Sequence, residues 1–563
     1  MMMKMGKTAH YLAFLYVLLL FFSVTSAYWY GPDYWNQRYE DYGIDYATGN
    51  DRFNGIWSAT TAINGGNGGY GRANGDYSGR SNTGCTIDEK ELTIDCSSAT
   101  TVFVKNYNFA NLTSSTFSKD VEEITILGGS LERIAADTFH NLTKLTSLTI
   151  HNTPITTFPD VSMCTSLEKL DVTKNSINFD VYTYSPLTFP PSLKEVSVME
   201  NNIDWVPPGL FSGTNIEYLG LSMNQISTFP SDSLKRMYNL TFLSVDGNQI
   251  SSVSKRNLEV FKDSPLIHLN LSNNVITYLA PRALAQLRQL KILELHQNSL
   301  SSIQPKIFDD VPSLLHIDLN NNQLTSLGTN SFTNLPSLRT LRLHSQKAGY
   351  EMTTISYDAF QGINGNLTTL FISDNRLANF PHAALSRETY ESLLYLHADN
   401  NLITNITFYS DDAYDGGTYE IYLRMKDSHV PFTTLPNVNE VYLSSNAITG
   451  LNEGDLCEMP YINLLELQSN NIDETTLDPH TFDCLTVLNE LNLDSNNFNY
   501  VPEGLRYQER LMSITTLYLS SNQITFLLDG AFSNLTTLRT LTLSSNDIIS
   551  IEDGAFPDDI VSL

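Results

Sequence analysis

The chain has 563 residues, 41% of them hydrophobic, and a formal net charge of -28. That apolar fraction supplies a substantial core and excludes wholesale disorder. The acidity excludes binding driven by nucleic-acid phosphates, because an acidic chain gains nothing from counterion release there. It suits cationic partners or calcium-rich surroundings, with an acidic solvated surface as the plain alternative.

In chain order, an export signal comes first. Lys4 and Lys7 precede an apolar run from Tyr11 to Phe22, and small residues follow around Ser26 and Ala27. This is the layout of a cleavable leader over residues 1–26. The run is short for a membrane span, and no second one of about 18 apolar residues follows. A secreted, extracellular product with no transmembrane segment is therefore expected. Residues 27–84 are rich in Tyr, Gly and Asn with little aliphatic content, which reads as a flexible segment.

From about residue 117 to the end the sequence repeats itself. The unit is L-x-x-L-x-L-x-x-N followed two residues later by another aliphatic, as in LKILELHQN from Leu290, LLHIDLNNN from Leu314 and LRTLTLSSN from Leu538. Registered on the asparagine, eighteen copies run from position 129 to position 546, most of them 22–27 residues apart. The alternation within L-x-L is the period of a strand with one buried face. An inward-turned asparagine can pair backbone groups that a tight turn leaves unbonded. Ten residues further on stands a second apolar ladder that includes Phe139, Phe211, Phe308, Phe332 and Phe532. Pro159, Pro207, Pro230, Pro381 and Pro502, six residues past the asparagine, suit an extended outer arm.

The motif resembles the 24-residue leucine-rich repeat common in extracellular proteins. The resemblance implies an α/β solenoid: a horseshoe with a parallel concave β-sheet, a mostly irregular convex side and about 18 coils over residues 117–563. It also reads Cys85-TIDEKELTID-Cys96, within residues 85–116, as a reduced N-terminal cap closed by a Cys85–Cys96 disulfide. Cys457 and Cys484 fall in equivalent outer loops of consecutive coils, where a second bridge is favoured. Cys164 takes a position that other coils give to leucine and is expected as a buried thiol. Tyr39, Tyr42 and Tyr46, beside Glu40, Asp41 and Asp45, are similar in composition to the sulfated tyrosine tails of small leucine-rich matrix proteoglycans. A plain spacer is the alternative for that arm. The chain stops part-way into a further coil with no matching cap, so a piece of a longer protein is one expectation.

The register lapses at Gly129, Thr153, Gln346 and Ser428, and extra length collects near Lys347–Thr354 and Tyr409–Tyr419. Insertions of this kind often lie on a binding face, though neutral drift explains them equally well. Residues two, four and six before each asparagine should project from the concave sheet. Six of the eleven histidines do so: His151, His268, His296, His316, His344 and His397. Glu294 with His296, His316 with Asp318, and Arg342 with His344 then make a mixed patch across three strands. That patch is a candidate partner-binding surface, with a solvated polar face as the alternative. No catalytic, metal or cofactor set is read, because nucleophile elbow, phosphate loop and deep pocket are all missing from the pattern.

Seven Asn-x-Ser/Thr sequons stand at Asn111, Asn141, Asn239, Asn270, Asn366, Asn405 and Asn534. Asn270 should lie in mid-strand on the concave face, where a glycan would push binding toward later coils. The expected function is non-catalytic binding of an extracellular protein or glycoconjugate in adhesion, matrix or recognition roles. Its alternatives are a truncated receptor ectodomain of innate-immune type and a structural or mineral-associated matrix protein.

Overall fold

In a computed structural model, the structure describes residues 81–563 apart from 89, 180–185, 364, 386–389, 407–434, 507–512 and 558–559. The chain divides into two units, Met1–Tyr77 and Ser78–Leu563. The first, with Tyr39, Tyr42, Tyr46 and the expected leader, lies outside the described residues.

The second unit is a solenoid. A 19-stranded sheet runs its length, and every pairing in it is parallel except that of Ser81–Thr83 with Thr101–Lys105. Most of these strands are three residues long, with a buried centre flanked by partly exposed neighbours, as in Lys169–Asp171, Glu195–Ser197 and Tyr395–His397. The two leucines of L-x-L explain this: both point inward, the first at the strand centre and the second just past its end, and the residues flanking the first stay on the open face. Register is in phase from coil to coil. Leu293, Ile317, Leu341 and Leu370 pair in succession and leave no offset.

Each asparagine closes its turn with the same bonds. In Asn274 the amide nitrogen donates to the carbonyls of Val245 (3.0 Å), Leu271 (3.1 Å) and Ser272 (3.0 Å). Its oxygen accepts from the Ile250 amide of the preceding coil at 2.9 Å. The residue just before is left-handed in coil after coil, for example Lys174 (φ 58°), Asn273 (φ 54°) and Ser445 (φ 51°). A non-glycine residue there costs about 1 kcal/mol or more, which the four amide bonds offset. Gln346 makes the equivalent bonds to the Leu319 carbonyl (3.2 Å), the Leu343 carbonyl (2.9 Å) and the Leu324 amide (3.1 Å). That lapse in the motif is therefore no lapse in the structure.

Ser428 is different. It lies outside the described residues, but the strands on either side, Tyr395–His397 and Glu440–Tyr442, pair directly with each other. Asn446 likewise reaches back to the Ala398 carbonyl and the Ile403 amide, each at 3.0 Å. No rung stands between them in the sheet, so the coil expected at Ser428 is withdrawn. At the other end the parallel ladder starts at Thr101–Lys105, which pairs with Glu123–Leu127.

The outer side is mostly turn and extended chain, with helices of only four residues at Lys255–Leu258, His382–Leu385 and Glu503–Arg506. Short second ladders join some outer arms, as Ser252–Val253 does with Tyr278–Leu279. Phenylalanines stack beneath them: Phe117 on Phe139 at 6.0 Å, Phe308 on Phe332 at 5.4 Å, Phe532 on Phe556 at 6.1 Å. Cys85 and Cys96 are bonded across the antiparallel hairpin Thr86–Asp88 and Thr93–Asp95, with the Cys96 side chain fully buried against the first coil. Cys457 and Cys484 are bonded between adjacent outer loops, their Cα atoms 5.1 Å apart. Cys164 is free and buried, and burial pushes its thiol up to about 12.

The amide ladder can be tested locally. Asn274→Leu should cost about 2–4 kcal/mol, because it strands one amide and three carbonyls in the core. Hydrogen exchange at the Ile250 amide should accelerate, while the Ile403 amide, held by Asn446, keeps its protection. Equal protection at Ile250 in both proteins would contradict this account of the turn.

Candidate functional site

Strand register sorts the concave side chains into rows. Asn270, Glu294, Asp318, Arg342, Phe371, His397 and Tyr442 are successive cross-strand neighbours in one row. Beside them run His268, Ile292, His316 and Thr340 in a second row. His296 and His344 project two residues beyond the first row. All of the expected patch residues except His397 thus lie close together on neighbouring rungs.

Within the patch, charges meet across strands. His268 Nε2 lies 3.0 Å from Glu294 Oε1. Asp318 collects two partners: Arg342 at 3.6 Å and His296 Nδ1 at 3.9 Å. Arg342 is only 8% exposed and Asp318 6%, so the pair is set into the sheet rather than waving above it. The Arg342 guanidinium also sits 5.5 Å from the centroid of the Phe371 ring, in cation–π range. His316 is held neutral. Burial first, then the Arg342 and Arg339 guanidiniums and His268, push its pKa down to about 3.

Toward the C-terminal coils the patch becomes aromatic. Phe371 stacks on His397 at 4.3 Å, and His397 on Tyr442 at 4.3 Å, with planes within 13° and 8° of parallel. His344 approaches the same row, 5.7 Å from Phe371. A second aromatic cluster precedes the patch: Tyr218 stacks on Phe242 at 4.5 Å, and Phe242 meets His268 edge-on at 4.6 Å. Phe371, Tyr442, Tyr218 and Phe242 were not singled out from the sequence. Their register positions, four or six residues before the asparagine, were the available signal. A search weighted toward titratable groups passes over rings.

Several concave carboxyls are crowded. Asp246 is half-buried and accepts from the Ser222 and Ser244 hydroxyls; desolvation raises its pKa against those bonds. Burial likewise raises Asp399, which accepts from the Ser373 hydroxyl at 2.7 Å. Glu466 is raised by burial and by neighbouring Glu490, while a 2.9 Å bond from Asn492 opposes the shift. Among the described residues, no group of three or more His, Cys, Asp or Glu side chains is arranged to hold a metal ion.

The added chain after Gln346 lies at the rim, not on the open face. Lys347 turns back to the Asn298 carbonyl and lies 3.5 Å from Ser299 Oγ, and Glu351 faces Arg376 at 3.6 Å. The segment Tyr409–Tyr419 lies outside the described residues. Six sequon asparagines, Asn111, Asn141, Asn239, Asn366, Asn405 and Asn534, are exposed. Asn270 is half-buried between Ser244 and Glu294, and its oxygen accepts from the Ser272 amide (2.9 Å) and hydroxyl (2.6 Å).

The family model described as leucine rich repeat matches residues 191–250, 257–300, 288–347 and 512–558, the coils whose amide ladder is set out above. Over those coils the chain is similar to the leucine-rich-repeat family. It is 25% identical over 422 residues to mouse podocan, covering 72% of this chain and 61% of podocan's length. It is 24% identical over 323 residues to bovine lumican, covering 55% of this chain and 86% of lumican. A structure of the Drosophila Toll–Spatzle complex in its glycosylated form is similar with a TM-score of 0.51 and 19% identity, over 80% of this chain and 55% of that one. That similarity bears on the fold alone.

The half-buried His316 of this repeat protein, its Nε2 sealed from solvent, predicts acid sensitivity with a definite sign. The unfolded chain takes up a proton near the ordinary 6.5, whereas the folded chain does so only at about 3. Stability is therefore undiminished by this group above pH 6.5 and falls as the pH drops through that window. Relative to wild type, His316→Leu should lose about 2 kcal/mol less between pH 7 and 4.5. Parallel urea denaturation of both proteins at the two pH values checks it, and equal losses would refute it.

Proposed function

We propose that this repeat protein acts outside the cell as a non-catalytic binder of an extracellular protein or glycoconjugate, through its concave sheet face. The observation that carries the reading is the continuous row Asp318–Arg342–Phe371–His397–Tyr442. It combines a buried ion pair, a cation over a ring, and three half-buried rings in stacking contact along one rigid surface. Aromatic and arginine side chains on pre-ordered backbone are what binding hot spots are made of, because they bury large area at low entropic cost. Three-residue strands locked in register supply the rigidity.

Extracellular action rests on further support. The first residues have the composition of a cleavable leader, and two disulfides suit an oxidising compartment. Among the described residues no helix is long and apolar enough to cross a membrane. The named relatives, podocan and lumican, are matrix proteins. Asp318 is already engaged by His296 and Arg342.

The test is binding of the labelled, secreted chain to decellularised matrix laid down by the cells that make it. Phe371→Ala combined with Tyr442→Ala should weaken saturable binding about tenfold or more. Tyr238→Ala, an exposed outer position, should leave it unchanged. Undiminished binding by the concave variant, or retention of the chain inside the cell, would overturn the reading.

A further inference from the structure

Charge on the outer side of the solenoid is segregated by coil. On three consecutive outer arcs, 226–240, 250–266 and 276–290, the sequence places Lys235 and Arg236, then Lys255, Arg256 and Lys262, then Arg282 and Arg288. All seven are exposed. The same arcs carry only Asp232, Glu259 and Asp263, so they hold a local excess of four positive charges in a chain whose net charge is -28. The equivalent arcs 448–462 and 472–488 hold no Lys or Arg at all, only acids such as Glu453, Glu458, Asp473 and Asp478.

Local structure turns the cations outward. Ser254 caps the short helix Lys255–Leu258 in a reciprocal box with Asn257, so Leu258 faces the core while Lys255 and Arg256 face solvent. Asn257 then donates to Ser231 Oγ at 3.0 Å and ties this arc to the one before. Lys235 pairs with Asp232 at 2.6 Å and Arg282 lies 3.7 Å from Asp309, both pairs largely solvent-exposed on the cation side. Such pairs are weak and exchange readily for a stronger anion. Among the described residues, Arg236, Lys255, Arg256, Lys262 and Arg288 hold no ion pair within 4 Å. Between the first two of these arcs and the preceding one runs a groove of about 620 Å³, lined by Trp205, Phe229 and Ser231, with Lys235, Arg256 and Lys262 set among Asp204, Asp232 and Glu259.

We infer that this outer patch is a binding site for a sulfated polysaccharide, separate from the concave face. A linear polyanion laid across the coils would meet a cation on each successive arc and gain free energy from displaced counterions. Guanidinium groups at Arg236, Arg256 and Arg288 match sulfate oxygens in pairs. Trp205 and Ser231 line the groove, and an aromatic side chain beside a hydroxyl suits a sugar chain better than a bare polyphosphate. The acidity of the rest of the molecule confines the polyanion to these arcs by repulsion elsewhere.

The experiment measures binding of the full secreted chain to immobilised heparin, with unsulfated hyaluronan and duplex DNA as comparison surfaces. Wild type should bind heparin with an affinity that falls steeply as salt rises, and should bind hyaluronan and DNA about tenfold more weakly or less. Arg256→Gln, Lys262→Gln and Arg288→Gln combined should weaken heparin binding about tenfold or more and flatten the salt dependence. Lys119→Gln, Lys144→Gln and Lys169→Gln, the same charge removed elsewhere, should change it little, as should Phe371→Ala with Tyr442→Ala. Thermal unfolding of each variant checks that the fold is intact. No heparin binding by wild type, equal loss in the two lysine and arginine sets, or equal binding to DNA would each overturn the inference.

Discussion

The residue before each register asparagine turns left-handed, and a turn that tight strands carbonyls and an amide away from the sheet. The asparagine side chain takes up those groups, reaching two carbonyls of its own turn and one carbonyl and one amide of the coil before, as Asn274 does. Because the amide oxygen always looks backward along the chain, each coil is bonded to its predecessor by a side chain as well as by the sheet. Register follows from this. A one-residue slip would take the asparagine out of its place in the turn and bring a polar residue to the core, so slippage is costly in both places at once.

Locked register is what makes the open face a surface with a defined pattern. Side chains two, four and six residues before the asparagine fall into rows whose members touch across strands. Evolution of any one coil therefore edits one rung of the row. The Arg342–Phe371–His397–Tyr442 succession shows the consequence: a basic group and three rings from four coils, separated in sequence by up to 45 residues between the last two, become a contiguous stacked row. The outer arcs are joined by strand pairing only in places, as at Ser252–Val253 with Tyr278–Leu279, but they repeat at the same interval. Charges placed on successive arcs accumulate into the basic patch around Arg256 and the acidic one around Asp478.

Much of this was legible in the sequence because the repeat fixes both period and facing. The strands, the inward asparagines, the phenylalanine ladder and the location of Glu294, His296, His316, Asp318, Arg342 and His344 all follow from counting back from one residue type. Counting failed where spacing and chemistry came apart. Ser428 fell near the expected interval but offers no amide to pair the turn, and the sheet passes directly from His397 to Tyr442. Gln346 looked defective and is not, because one more methylene still delivers an amide to the Leu324 backbone. The neutral state of His316 was out of reach for a different reason. It depends on burial and on two guanidiniums whose distances no pattern of letters contains.

The central claim, that partners dock on the concave face, is tested most directly by protein cross-linking mass spectrometry on the chain bound to its native matrix. The account predicts that intermolecular protein cross-links concentrate on the strands from His268–Asn270 to Thr516–Tyr518, with the highest yield beside Arg342, Phe371 and Tyr442. Cross-links confined to the outer arcs, with the concave rows unmodified and accessible in the bound state, would contradict it.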